Sequence, residues 1–416
     1  MRILLNSLKA IVGLLVLTGI VTGQANNAWL TDTERIRFDQ LRDNGFEALY
    51  NLDYETATFH FSDIARSFPQ HPAGSQYLAS TLLLETLYKS RRLQASLYSS
   101  KSFYSGSDDK ADPKVIKQFR TLTREAQRLA EARLKEYPKD TEALYFLGNV
   151  AAAKASFEEA VERRHFAALR DGSEAVAKHR MVVQLDPNYV DAELTIGMYE
   201  YVVGSLPFPV KLMAGIFGAQ GSKKRGIATI ERVAKLGKAS RDQARSLLVI
   251  LYFREKRYSE AAEQARQLSA KYPRNYLYRL ETADALVSQA TAASKIKQTP
   301  GSTESAAEAY SIYQSLLRDK EVAGTQGHLK DLIHFKYGEA LMKTGRNEQA
   351  VMEFLSAAKT EEADEKLVTM AHLYAAEALD AENKRGEALA QYRLVLSRPD
   401  AYDAHVQARK RLAERR

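Results

Sequence analysis

The sequence predicts an all-α fold, a right-handed α-solenoid of stacked helix hairpins with long-helix and loop insertions. Three observations carry that expectation. Long stretches rich in Ala, Leu, Glu, Lys, Gln and Arg run between only ten prolines and 21 glycines in 416 residues, a composition that favours helix. Small and large apolar residues recur at fixed offsets, the mark of a repeated helical pair. Prolines stand where several of these pairs end, because proline cannot extend the helix before it. No run of alternating β-branched residues stands out, so almost no sheet is expected. With 45% hydrophobic and 27% charged residues, the chain can bury a core and is not of disordered composition.

Residues 1–25 read as a secretion signal. Arg2 and Lys9 precede an apolar run from Ala10 to Val21, and small residues Gly23 and Ala25 mark the expected cleavage region. The run is shorter than the roughly 20 residues a spanning helix needs, so an uncleaved inner-membrane anchor is the alternative reading. The expected location is therefore periplasmic or extracellular. The chain has no cysteine, which excludes disulfides, thiolate chemistry and lipid attachment at a cysteine. The formal charge is +8, and loss of the leader leaves about +6. Part of that excess lies in Arg409, Lys410, Arg411, Arg415 and Arg416, read as a solvated final helix or, alternatively, as a contact for an anionic surface.

Residues 30–416 read as one superhelix of about eight units. The first has Leu41 and Gly45, a turn over Asn51-Leu52-Asp53-Tyr54, then Ala57, Phe61, Ile64 and Pro69. Stretched copies follow. Ala126, Ala130 and Pro138 close one second helix; Leu144, Leu147 and Gly148 open a unit whose partner carries Ala175 and ends at Asp186-Pro187. The proline-free stretch from Thr141 to Arg170 reads as a single long helix, and Ser105–Asp109 and Thr299–Ser302 as exposed loops. Further copies use Leu248, Tyr252, Tyr258, Ala261, Ala265, Leu268 and Pro273, then Ala309, Tyr313 and Leu316. The clearest unit, 331–364, has Tyr337, Gly338 and Leu341, a turn at Thr344-Gly345-Arg346-Asn347, then Ala350, Phe354 and Ala357; Ala376, Leu379, Ala388, Tyr392 and Val395 repeat it before Pro399. No single hairpin can bury both faces, so stability must come from stacking neighbours.

These offsets resemble the 34-residue tetratricopeptide pattern over most of the mature length. In that pattern small residues sit where two helices cross and a large one fills the gap. The segment 204–226 departs from it. It contains Ser205-Leu206-Pro207, an apolar stretch through Lys211-Leu212 to Phe217-Gly218, and a Gly-rich turn into a helix from Ile227 to Leu236. Over residues 195–275 the sequence is similar to the tetratricopeptide repeat protein 39 family, although the leader departs from that intracellular family. Pro207, Pro209, Glu200 and Lys211 argue against a membrane-spanning helix. The insert is read as a hydrophobic plug; alternatively Phe208, Met213, Ile216 and Phe217 present an apolar surface to lipid or a partner helix.

The superfamily resemblance implies groove-lining positions on the first helix of each unit. Projected onto this chain they are Arg42, Phe46, Leu49 and Tyr50, then Ile250, Phe253 and Arg254, then Phe335, Glu339 and Met342. Mixed aromatic and charged residues suit a peptide or helical segment, aromatics anchoring and charges setting register. The carboxylate-clamp subclass uses Lys and Asn where this chain has Arg42 and Phe46, so that partner is not expected.

Catalytic chemistry has no candidate constellation. There is no His-Glu-x-x-His, His328 and His334 lack ligand spacing, and His334 and His372 read as packing residues. Gly215, Gly218, Gly221 and Gly226 miss the phosphate-loop spacing, which leaves Lys223, Lys224 and Arg225 at a helix start as an alternative anion hold. The pairs Glu158-Glu159 and Glu361-Glu362 read as solvent-facing. No metal, cofactor or specific nucleic acid is expected. The expected function is a non-enzymatic scaffold or adaptor of the cell envelope with protein or peptide partners; the alternative is a lipid or membrane-surface binder using the insert and the basic C-terminal helix.

Overall fold

Side-chain caps and left-handed turn residues set the helix boundaries in the computed structural model, which describes residues 29–93, 112–207, 221–294, 300–319 and 329–414. The described residues form 17 α-helices and no strand. Thr31 closes a full capping box with Glu34, while Asp53, Asp112, Asp140, Ser222 and Asp364 each accept a backbone N–H at a helix start. Each such cap is worth about 1 kcal/mol.

The chain divides into two compact units at Glu255. The first holds α1 (Asp32–Tyr50), α2 (Tyr54–Ser67), α3 (Ala73–Lys89), α4 (Pro113–Glu136), α5 (Thr141–Phe157), α6 (His165–Leu185), α7 (Glu193–Gly204), α8 (Lys223–Leu236) and α9 (Arg241–Arg254). The second holds α10 (Tyr258–Lys271), α11 (Tyr276–Ser294), α12 (Pro300–Arg318), α13 (Lys330–Lys343), α14 (Asn347–Lys359), α15 (Glu365–Ala381), α16 (Arg385–Leu396) and α17 (Ala404–Ala413). Within each unit, successive helices pack on one another.

Small-to-large complementarity is the packing rule. A Cβ added at Gly45 would lie 2.4 Å from the Phe61 ring, and one at Gly338 would lie 2.7 Å from Phe354. The first and second helices of these hairpins therefore meet where only glycine leaves room for the ring. Gly148 on α5 faces His179 of α6 in the same way, at 2.4 Å. Between α7 and α8 the approach is backbone to backbone: a Cβ at Gly226 would come within 2.6 Å of the Gly197 carbonyl oxygen.

Two sequence expectations are corrected. Thr141–Arg170 is not one helix. After Phe157 the chain widens into a π-turn over Glu158–Glu162, and Arg163 takes left-handed φ 58° before α6 begins at His165. This reversal lets α6 fold back on α5, whose residues from Ala143 to Phe157 are buried except Lys154. Nor is Thr299–Ser302 wholly a loop, because α12 starts at Pro300, whose fixed φ suits a first helical position. The leader, the Ser105–Asp109 loop and residues 208–220, with Phe208, Met213, Ile216 and Phe217, lie outside the described residues. No helix among the described residues is long and apolar enough to cross a membrane.

Candidate functional site

The projected partner-facing residues separate into two sets. Tyr50, Ile250, Phe253 and Phe335 are core side chains at 8%, 3%, 4% and 1% exposure, and Leu49 is buried beside Tyr50. This corrects their expected role. A first helix is covered by its own second helix and by neighbouring helices, so the packing takes up its aromatics. Arg42, Phe46, Arg254, Glu339 and Met342 remain partly accessible. Arg42 is held by Asp39 at 2.6 Å and Asp43 at 2.8 Å, and Phe46 lies edge-on to Phe61 and Tyr77.

In the second unit, α11, α13, α15 and α17 stand side by side as a wall. Its joints are specific. Lys336 Nζ on α13 lies 3.2 Å from Asp284 Oδ2 on α11 and 3.4 Å from Glu339 on its own helix. The Tyr313 hydroxyl of α12 donates to the other Asp284 oxygen at 2.5 Å. Phe335 stacks on Tyr374 of α15 at 5.3 Å, and Arg411 of α17 reaches Glu377 of α15 at 3.9 Å. Burial works against the Lys336 ammonium, but Asp284, Glu339 and Glu281 outweigh it and raise its pKa above the ordinary lysine value. Burial also raises the Glu377 carboxyl, with Arg411 opposing and Asp380 adding to the rise. Four carboxylates, Glu281, Asp284, Glu339 and Glu377, thus share one face with two cations, Lys336 and Arg411.

The first unit has its own polar joint. Arg35 on α1 donates both terminal nitrogens to Glu142 on α5, each at 3.1 Å. His71 accepts the Ala73 N–H at Nδ1, which leaves the proton on Nε2, 3.4 Å from the same carboxylate. Burial alone would raise the Glu142 pKa; His71 and Arg35 reverse this and pull it down to about 2. Burial keeps His71 below the ordinary histidine value.

A further polar cluster surrounds the π-turn. Glu158 and Glu159, read from sequence as solvent-facing, are 8% and 2% exposed, because the wide turn swings both under α6. Glu159 meets His165 Nδ1 at 2.7 Å, and Lys154 lies 3.2 Å from buried Asp171. A cleft of about 370 Å³ opens beside it, lined by Arg120, Thr123, Lys154, Glu158 and the stacked Phe119 and Phe157. Among the described residues no group of three or more acidic or histidine side chains is arranged to hold a metal ion.

The other sequence candidates are occupied in packing. Lys223 pairs with Glu255 at 2.7 Å and Arg225 with Glu200 at 3.5 Å, so carboxylates of the same unit meet two cations of the suggested anion hold. His334 and His372 cross their hairpins to Glu353 and Gln391 at 2.7 and 2.8 Å. Asp284, Lys336, Glu142 and His71 escaped the sequence reading. Lys336 is a charged residue inside the apolar Phe335-Lys336-Tyr337, whereas Glu142 in Asp140-Thr141-Glu142 and His71 in Gln70-His71-Pro72 stand among polar residues and prolines and carry no such signal.

No protein-family model and no curated protein matches the chain. Solved structures similar to it include the human IFIT1 dimer with m7Gppp-AAAA, at TM-score 0.43 and 13% identity, covering 98% of this chain and 89% of that one. TTC0263, a thermophilic TPR protein of Thermus thermophilus, is similar at TM-score 0.34 and 17% identity over 60% of this chain and 99% of its own. A tetratricopeptide repeat protein from Parabacteroides merdae is similar at TM-score 0.30 and 13% identity, with 81% and 99% covered.

Proposed function

We propose that the chain is a non-catalytic scaffold, exported by its N-terminal leader, that holds basic protein segments against the first-helix wall of its second unit. The observation that supports this reading is the row of Glu281, Asp284, Glu339 and Glu377 across three adjacent helices, with Lys336 and Arg411 set among them. These carboxylates, Glu281 buried and Asp284, Glu339 and Glu377 partly exposed, favour a cationic partner, and the nearby Met342 and Tyr374 give it apolar contact.

Fluorescence anisotropy with a labelled peptide alternating Lys or Arg with aromatic residues tests it. The basic peptide binds, its Glu-substituted counterpart does not, and Glu339→Lys with Glu377→Lys abolishes the difference. Equal binding of both peptides would remove the wall from consideration.

A further inference from the structure

Ten large apolar side chains are exposed among the described residues, and four of them stand on α6: Phe166, Leu169, Met181 and Leu185, at 90%, 48%, 42% and 42% exposure. No other helix among the described residues carries more than one. The helix does not need them for folding. Its inner face is already complete in Ala168, Asp171, Ala175, Val176, His179 and Val182, packed chiefly on α5. The outer residues follow helical spacing, with exposed Ser173 and Ala177 bridging the middle, so they form one strip about 30 Å long.

Cations flank this strip. Arg164, Arg170 and Arg180 are exposed beside it, while Glu174 is the one exposed acid on α6. Asp171, which pairs with Arg170, is itself buried and also faces Lys154.

We infer that α6 rests by its outer face on an anionic lipid surface. Phe166, Leu169, Met181 and Leu185 enter the boundary between headgroups and acyl chains, and Arg164, Arg170 and Arg180 meet the phosphates. An apolar helix face bordered by arginines suits an interface that is greasy beneath and anionic above. Long arginine stems can lie along the apolar layer while their heads stay in the polar one. A folded protein partner would instead seat its anchors in pockets. Here the apolar groups protrude, and small residues separate the two ends of the strip. This surface belongs to the first unit and is independent of the acidic wall.

The apolar leader of the full chain can bind vesicles by itself, so the readout must be local to α6. Phe166→Trp supplies one, with Met352→Trp on α14 as the control; Met352 is 61% exposed. The native chain has one tryptophan, Trp29, as a constant background. On phosphatidylglycerol vesicles carrying brominated acyl chains, fluorescence from position 166 is quenched and that from 352 is not. Pure phosphatidylcholine vesicles give little quenching. Raising salt weakens it, and Arg170→Gln and Arg180→Gln each weaken the partition about five-fold. Met181→Glu in the Phe166→Trp background lowers quenching further. Failure to bind the anionic vesicles, or binding with position 166 quenched no more than position 352, overturns the proposal. Unchanged circular dichroism in every variant keeps loss of fold out of the comparison.

Discussion

Glu142 shows how one partly buried carboxylate ties α1, α5 and the turn before α3 together, and its ionisation gives the first test. With its pKa near 2 in the folded chain and an ordinary value near 4.5, the group is depressed by folding. Its contribution is therefore fully present above the ordinary carboxyl range and is lost as pH falls toward 2. Glu142→Gln should destabilise the protein by about 3 kcal/mol at neutral pH, because Arg35 loses its charged partner in a poorly solvated site. The same variant should show a shallower loss of stability between about pH 5 and pH 2, measured by urea unfolding across that range. Lys336 gives the converse case. Lys336→Met strands Asp284 and should cost about 3 kcal/mol, while adding Asp284→Asn should recover part of the loss in a double-mutant cycle. Neither joint was legible from sequence, because a buried ion pair between distant residues leaves no local pattern. The projected Phe335 came within one position of Lys336, but a one-residue shift on a helix turns the side chain by about 100°.

At the scale of the helix, the glycines carried the legible signal. Gly45 with Phe61 and Gly338 with Phe354 stand out in sequence because a missing side chain and a large one recur at the same offset, and the close contacts explain why. Gly338→Ala should destabilise by about 1–3 kcal/mol, since the Phe354 ring must shift to admit a methyl group. Gly386, early in α16, has nothing within 4 Å of an added Cβ, so Gly386→Ala should stabilise by about 0.5 kcal/mol. Thermal unfolding of the two variants checks both signs; equal effects would mean that helix propensity, not packing, governs these sites. The π-turn was illegible for the opposite reason. Thr141–Arg170 is rich in Ala, Leu, Glu and Arg and has no proline, and the break after Phe157 follows from the need of α6 to fold back on α5, a tertiary demand that no local propensity records.

For the molecule as a whole, net charge and local charge make opposite predictions. A chain with formal charge +8 should repel a cationic peptide if the total governs binding. The second unit's wall argues otherwise, because at a Debye length of about 10 Å a bound segment responds to Glu281, Asp284, Glu339 and Glu377 and hardly to distant lysines. Two charge reversals separate these cases. Glu339→Lys with Glu377→Lys and Glu361→Lys with Glu362→Lys raise the net charge equally, but Glu361 and Glu362 lie on an exposed turn after α14. The wall pair should weaken a basic peptide about ten-fold or more at about 0.1 M salt, and the turn pair by about two-fold at most. Acid should act in the same direction: burial raises the Glu377 pKa, so this carboxylate gains its proton before an ordinary glutamate and binding weakens as pH falls through that range. Equal losses from the two pairs would show that the total charge, and not the arrangement on α11, α13 and α15, governs the interaction.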